Sequence, residues 1–305
     1  MLFRSSDDAL TLTSAVSGAT ISLGAGTDTL TLAAGGNGVT VTGAETIIGG
    51  SGTDVVTLGS AGAVTISNVE TLTGSSGDDA VTLAATVNGA SIDLGAGTNT
   101  LLLAAGANTF AASGVATITG SSGSDALTLT NAQNGTSIAL GGGTDTLTLA
   151  DGGNSVTVSG AETIIGGSGT DSVTLGSAGA VTVSGIETLV GSSGDDAVTL
   201  AATVSSASID LGTGTNTLTL ASGANSLAAS GVATITGSSS SDALTLTNAQ
   251  SGTTIALGAG TDTLTLAAGG NTVTVTGAET IVGGAGTDAV TLGSAGAVTD
   301  RKTHV

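Results

Sequence analysis

The residues of this chain with chemistry to offer are aspartates, most of them closing a glycine-rich turn: Asp8, Asp28, Asp54, Asp79, Asp125, Asp145, Asp171, Asp196, Asp242, Asp262 and Asp288. Together with Asn99 and Asn216 they recur at steps of 20, 25 or 26 residues. A turn that presents one carboxylate beside several backbone carbonyls is a set of hard oxygen donors. Calcium takes six to eight such oxygens in flexible geometry, so the pattern points to cation binding. Catalysis is a poor fit. The only His is His304 and the only Lys is Lys302, so no base stands beside a nucleophile. Each carboxylate is also copied turn after turn, whereas an active site is normally unique. The chain is expected not to be an enzyme.

Charge supports the cation. The formal net charge is −20, and the potentially cationic side chains Arg4, Arg301, Lys302 and His304 all lie at the ends. Residues 5 to 300 therefore have no protein cation to pair with their carboxylates. Phosphate contacts need Lys and Arg, which excludes nucleic acid as a partner. The 305 residues contain no Cys, which removes disulfides and thiolate metal sites. No apolar run is long enough for a membrane span.

The elements that must position these aspartates are strands. Residues 8 to 124 return almost unchanged as 125 to 241 and start again at 242, a period of 117 (125 − 8 = 117). Repeats of this kind stack as supersecondary units. The second and fourth residues past each turn are apolar, from Leu10/Leu12 and Leu30/Leu32 to Val290/Leu292. The third is Thr in twelve of thirteen units, with Leu102 the exception. Strict alternation with β-branched residues outside reads as half-buried strand. A second strand precedes each turn, as in Thr46-Ile47-Ile48. The expected fold is all-β: a parallel β-solenoid of about thirteen stacked coils of 20–26 residues, Leu on Leu and Thr on Thr. The 20-residue coils would be two-stranded, and the longer ones would add a third short face or extend the second strand. Turns such as Ala34-Gly35-Gly36-Asn37 would close the other edge, Gly and Asn tolerating positive φ. One continuous solenoid is expected over residues 5–299, with irregular ends at 1–4 and 300–305.

Stacking would align the aspartates. Carboxylates about 4.8 Å apart repel by about 1 kcal/mol in water and about 3 kcal/mol at an effective dielectric of 20. Over a dozen pairs this rivals the stability of a domain, so the column calls for a cation. The alternative is a solvated ladder of Asx-turns. Glu45, Glu70, Glu162, Glu187 and Glu279 each lie nine residues before a motif Asp. They read either as outer-shell oxygens or as solvated residues at a bend.

Gly49-Gly50-Ser51-Gly52-Thr53-Asp54-Val55-Val56-Thr57 matches every fixed position of G-G-x-G-x-D-x-U-x, as do residues 166–174 and 283–291. The chain thereby resembles the RTX (repeats-in-toxin) calcium-binding β-rolls, in style closest to the repeat regions of large secreted adhesins and surface-layer proteins. The resemblance implies calcium as ligand and an extracellular or cell-surface location. The departures are that the turn is read once per coil, so that only one edge binds, and that Asn99, Asn216 and the degenerate turn before Asp242 weaken their sites.

The leading functional expectation is a non-catalytic, calcium-rigidified structural repeat that meets cell-surface or matrix components. Two others stand beside it. Outward Thr columns such as Thr29/Thr31 and Thr263/Thr265 resemble ice-binding arrays, although Val55, Ala80 and Ala126 interrupt them. Uncapped ends would permit end-to-end self-assembly.

Overall fold

The computed structural model describes residues 6–293 and 298–302; the expected irregular end at 1–4 and the last three residues of the expected tail at 300–305 lie outside them. The chain is an all-β parallel β-solenoid of about 15 turns, close to the thirteen expected, with no helix among the described residues. It divides into two compact units, residues 1–151 with 159–161, and 152–158 with 162–305. Each is described by itself.

In the first unit the chain alternates between two sheets, because each strand pairs in parallel with the strand two further on. Ala9–Thr11 pairs with Thr29–Thr31, which pairs with Thr46–Ile48. In the other sheet Ser17–Ser22 pairs with Gly38–Thr42, which pairs with Val55–Leu58. The alternation read from the sequence sets which face is buried. Leu30, Ile47, Val56 and Ile118 have no exposed surface, and Leu72, Leu101, Leu127 and Ile138 are 1 % exposed. The core is thus a thin layer of branched aliphatics, each contributing about 1.5–3 kcal/mol by burial. Outward, Thr29, Thr46, Thr65 and Thr82 follow in register.

Two expectations are corrected. Leu does not stack uniformly on Leu, since Leu30 faces Ile47 and Ile47 faces Ile66. There is also no third face among the described residues. Paired residues lie 16 to 21 apart, as in Val55 with Thr71 and Ser17 with Gly38. The segment Gly38–Thr42 is a full strand of the second sheet, so a 25- or 26-residue step is a coil and a half. From Ala9–Thr11 to Ala126–Leu129 the chain advances thirteen strands, and 117/13 gives nine residues per half-coil. Thirteen is odd, so the strand after Asp8 belongs to one sheet and the strand after Asp125 to the other.

The second unit has the same plan. Ser172–Leu175 pairs with Thr188–Val190, and Gly179–Ser184 with Asp196–Leu200. Ile164, Val173, Leu211, Ile235, Ile255 and Leu264 have no exposed surface. Here the expected irregular tail begins as strand: the backbone of Thr299–Lys302 pairs with Thr280–Gly283.

Close stacking accounts for the paired glycines better than bending does. A Cβ on Gly49 would lie 1.7 Å from the Asn68 carbonyl oxygen, and one on Gly50 would lie 2.0 Å from that of Ala33. Only Gly52 of that turn has a left-handed φ, +112°.

Candidate metal site on the coil edges

The coil-and-a-half step distributes the aspartates over both edges of each unit. In the first unit the strands after Asp8, Asp28, Asp79 and Asn99 belong to one sheet, and those after Asp54, Asp125 and Asp145 to the other. In the second unit the strands after Asp171, Asp242 and Asp262 share one sheet, and those after Asp196, Asn216 and Asp288 the other. A 20-residue step keeps the edge; a 25- or 26-residue step changes it. The expectation of a single acidic edge is thereby corrected.

These side chains point inward. Asp28, Asp54, Asp79, Asp125, Asp145, Asp171, Asp196, Asp242 and Asp262 are at most 2 % exposed, and Asp8 and Asp288 are half-buried. Their work is visible in the hydrogen bonds. The backbone N–H of one coil donates to the side-chain oxygen of the next: Asp8 N to Asp28 Oδ1 at 2.8 Å, Asp125 N to Asp145 Oδ1 at 2.7 Å, Asp242 N to Asp262 Oδ1 at 2.7 Å. Turn N–H groups with no sheet partner are thus satisfied by carboxylates, which gain charge-assisted bonds.

Aspartates alone do not make the column. Asn37 N and Nδ2 both donate to Asp54 Oδ1, at 2.9 and 2.8 Å, and Asp54 N donates to Glu70 Oε2 at 2.8 Å. Asn108, Asn225 and Asn271 hold Asp125, Asp242 and Asp288 in the same way. These asparagines are buried, and their φ values are not positive. The Ala-Gly-Gly-Asn turn of Asn37 therefore lies on the same edge as the Asp54 turn, not on the opposite one. One signal in the sequence marks them: each Asn lies 17 residues before its Asp (54 − 37 = 17), one coil length. Glu45, Glu70, Glu187 and Glu279 are half-buried and accept the N–H of Asp28, Asp54, Asp171 and Asp262 at 2.6–2.8 Å, so they are not solvated bend residues.

The second carboxylate oxygens fall into two groups. Asp54 Oδ2 accepts Gly50 N at 2.7 Å, while Asp79, Asp196 and Asp242 accept the N–H of Ser75, Ser192 and Ser238. By contrast, Oδ2 of Asp8, Asp28, Asp125, Asp171 and Asp262 is buried and accepts no hydrogen bond. A buried anionic oxygen without a donor is costly unless a proton or a cation sits against it. The Asp262 carboxyl is held above the ordinary carboxylate range chiefly by burial. The Asp242 N–H opposes this, and the charges of Asp242 and Glu279 add to it.

Among the described residues no three Asp, Glu, His or Cys side chains converge, so a cation here would draw most of its oxygens from backbone. That is the chemistry of a glycine-rich turn. The family model of the RTX calcium-binding nonapeptide repeat matches the chain four times, at residues 40–62, 156–178, 181–199 and 274–295. These four matches and the parallel β-solenoid fit an RTX-like repeat protein. No curated protein shows significant similarity to it. The matched stretches contain the turns of Asp54, Asp171, Asp196 and Asp288, and the RTX family implies calcium binding. The donor-free Oδ2 atoms and the carbonyl-rich turns of this RTX-like chain fit calcium. Half-coils averaging nine residues also explain how a nonapeptide family aligns with a repeat whose acidic turns recur only every 20 to 26.

Proposed function

We propose that this chain is a non-catalytic structural repeat of an extracellular adhesin, surface-layer or matrix protein, stiffened by calcium bound along its coil edges. The reading rests on one observation above all: the buried Oδ2 atoms of Asp8, Asp28, Asp125, Asp171 and Asp262 that accept no hydrogen bond. Two others support it, the RTX repeat and the absence of protein cations between residues 5 and 300. The role assigned to Asp28, Asp125, Asp171 and Asp262 is metal ligation through the free oxygen. Asp54, Asp79, Asp196 and Asp242 mainly close their own turns. Calcium outside the cell would fill the edge sites and cancel the buried charge, and its removal would loosen the coils. No helix among the described residues is long and apolar enough to cross a membrane.

The test is circular dichroism and thermal melting of the full chain in calcium and in excess chelator. The expected result is a β signal that melts at least 10 °C higher in millimolar calcium. An identical melting temperature in both would overturn the calcium part of the reading. An ice-binding role gains no second observation, because the Thr column of the first unit is interrupted at Leu102, which pairs with Thr82 and Thr119 and is 44 % exposed.

A further inference from the structure

The dipeptide Asn-Gly occurs three times, as Asn37-Gly38, Asn88-Gly89 and Asn134-Gly135. Glycine leaves the backbone nitrogen after an asparagine unshielded, so this nitrogen can attack the amide carbon of the asparagine side chain. The fold treats the three pairs differently. Asn37 is 2 % exposed, and its Nδ2 donates to Ala33 O, Gly35 O and Asp54 Oδ1 at 2.8, 2.9 and 2.8 Å. The attacking nitrogen is occupied as well, since Gly38 N donates to Val16 O at 2.8 Å. Both reacting groups of this pair are held.

Asn88 and Asn134 are exposed. Each opens a strand, Asn88–Asp93 and Asn134–Gly141, and the glycine after it has a left-handed φ, +75° and +80°. A Cβ on Gly89 or Gly135 would meet nothing within 4 Å, so the space that a ring needs is open. In the first of these strands Asn88 is in register with Thr109 and Ala90 with Phe110, which leaves Gly89 as an unpaired bulge. The neighbour on the other side, Thr71–Thr73, pairs only from Ser91 onward. The bulge recurs with other residues. Ser17-Gly18, Ser205-Ser206 and Ser251-Gly252 skip a residue of register at the same place. A serine there has no amide carbon to attack, so the repeat itself supplies unreactive copies.

We infer that Asn88 and Asn134 are sites of spontaneous deamidation, and that burial and hydrogen bonding protect Asn37. Gly89 N loses its proton to solvent base and bonds to Asn88 Cγ, and the Cγ–Nδ2 bond breaks with release of ammonia. Water then opens the cyclic imide at either carbonyl, leaving aspartate or isoaspartate. The net change is –OH for –NH₂, and at neutral pH each event adds a negative charge. Asn134 and Gly135 react in the same way. At Asn37 the product carboxylate would stand against Asp54 Oδ1, in place of the amide that now donates to it. The reaction is thus confined to positions where a new charge meets water.

The experiment incubates the full chain in warm, mildly alkaline buffer with calcium and locates the products by fragmentation mass spectrometry and isoaspartate detection. N88S and N134S, which copy Ser205 and Ser251 of the later coils, serve as controls. Wild type is expected to deamidate at Asn88 and Asn134, and each variant at the remaining site alone. Asn37 is expected to react at least about tenfold more slowly, a barrier difference of about 1.4 kcal/mol, and to catch up in urea. Deamidation of Asn37 as fast as Asn88 in the folded chain would overturn the inference. So would unmodified Asn88 and Asn134 under conditions that convert a free Asn-Gly peptide. An Asn37 that stays slow in urea would overturn the protection assigned to the fold.

Discussion

The amides between the carboxylates give the most quantitative test of the ladder. Asn225 is 2 % exposed, and its Nδ2 donates to Ala221 O, Gly223 O and Asp242 Oδ1 at 2.9, 2.8 and 2.9 Å. Asp242 needs no cation, because its other oxygen accepts Ser238 N at 2.9 Å. Asn225→Asp would replace that donor with a second carboxylate at the same contact. Two unit charges about 3 Å apart repel by about 6 kcal/mol at an effective dielectric of 20, and the two carbonyls lose their donor as well. Asn225→Ala is the neutral control. It removes a charge-assisted bond and leaves the Val204 N–H, which reaches Asn225 Oδ1 at 3.4 Å, without its acceptor. Bonds of this type are worth about 1–3 kcal/mol each, so the control should lose about 3 kcal/mol. Urea unfolding in chelator at neutral pH should therefore rank wild type above N225A and N225A above N225D, with N225D about 6 kcal/mol or more below wild type. A loss under about 1 kcal/mol for N225D, or a smaller loss than for N225A, would refute the buried ladder.

Four further outcomes follow from named contacts. Gly50→Ala drives a Cβ to 2.0 Å from Ala33 O and should cost about 3 kcal/mol by thermal or urea unfolding. Gly142→Ala, with nothing within 4 Å, should stay within about 0.5 kcal/mol of wild type. Ser206 has a left-handed φ of +75°, the value found at Gly89 in the corresponding turn of the first unit. Ser206→Gly should stabilise by about 0.5–1 kcal/mol in the same assay. The raised Asp262 carboxyl sets a pH dependence. The folded chain holds that proton more firmly than the unfolded chain, so in chelator stability should rise as pH falls from neutrality through the raised value. It should level off below the ordinary carboxylate range. D262N lacks the group and should melt above wild type at neutral pH, with the gap closing in acid; a constant gap would contradict the assignment.

Strand parity and the buried aliphatic face were legible because period-two alternation survives in every unit, from Leu30/Leu32 to Leu264/Leu266. The coil length was not. The acidic motif marks only some turns, while those ending in Asn37 or Glu45 close coils with different residues, so motif period and coil period differ. A 26-residue step reads as one long coil until pairing shows Gly38–Thr42 as a strand in its own right. The inward aspartates were legible as a column, but not their partners. Glu45 and Glu70 look like solvated bend residues because nothing local in the sequence announces the N–H, 16 or 17 residues back, that each one accepts.

The placement of acidic turns on both edges depends on the coil-and-a-half step, and cysteine pairing measures that step directly. The chain has no Cys of its own. Thr29 and Thr46 are register partners on neighbouring parallel strands, whereas Val55 pairs with Gly38 and Thr71 in the other sheet. Neighbouring strands stand about 4.8 Å apart, within reach of a disulfide. Under mild oxidation T29C/T46C should cross-link and T29C/V55C should not. Cross-linking of 29 to 55, with none between 29 and 46, would restore one acidic turn per coil and contradict the two-edge arrangement.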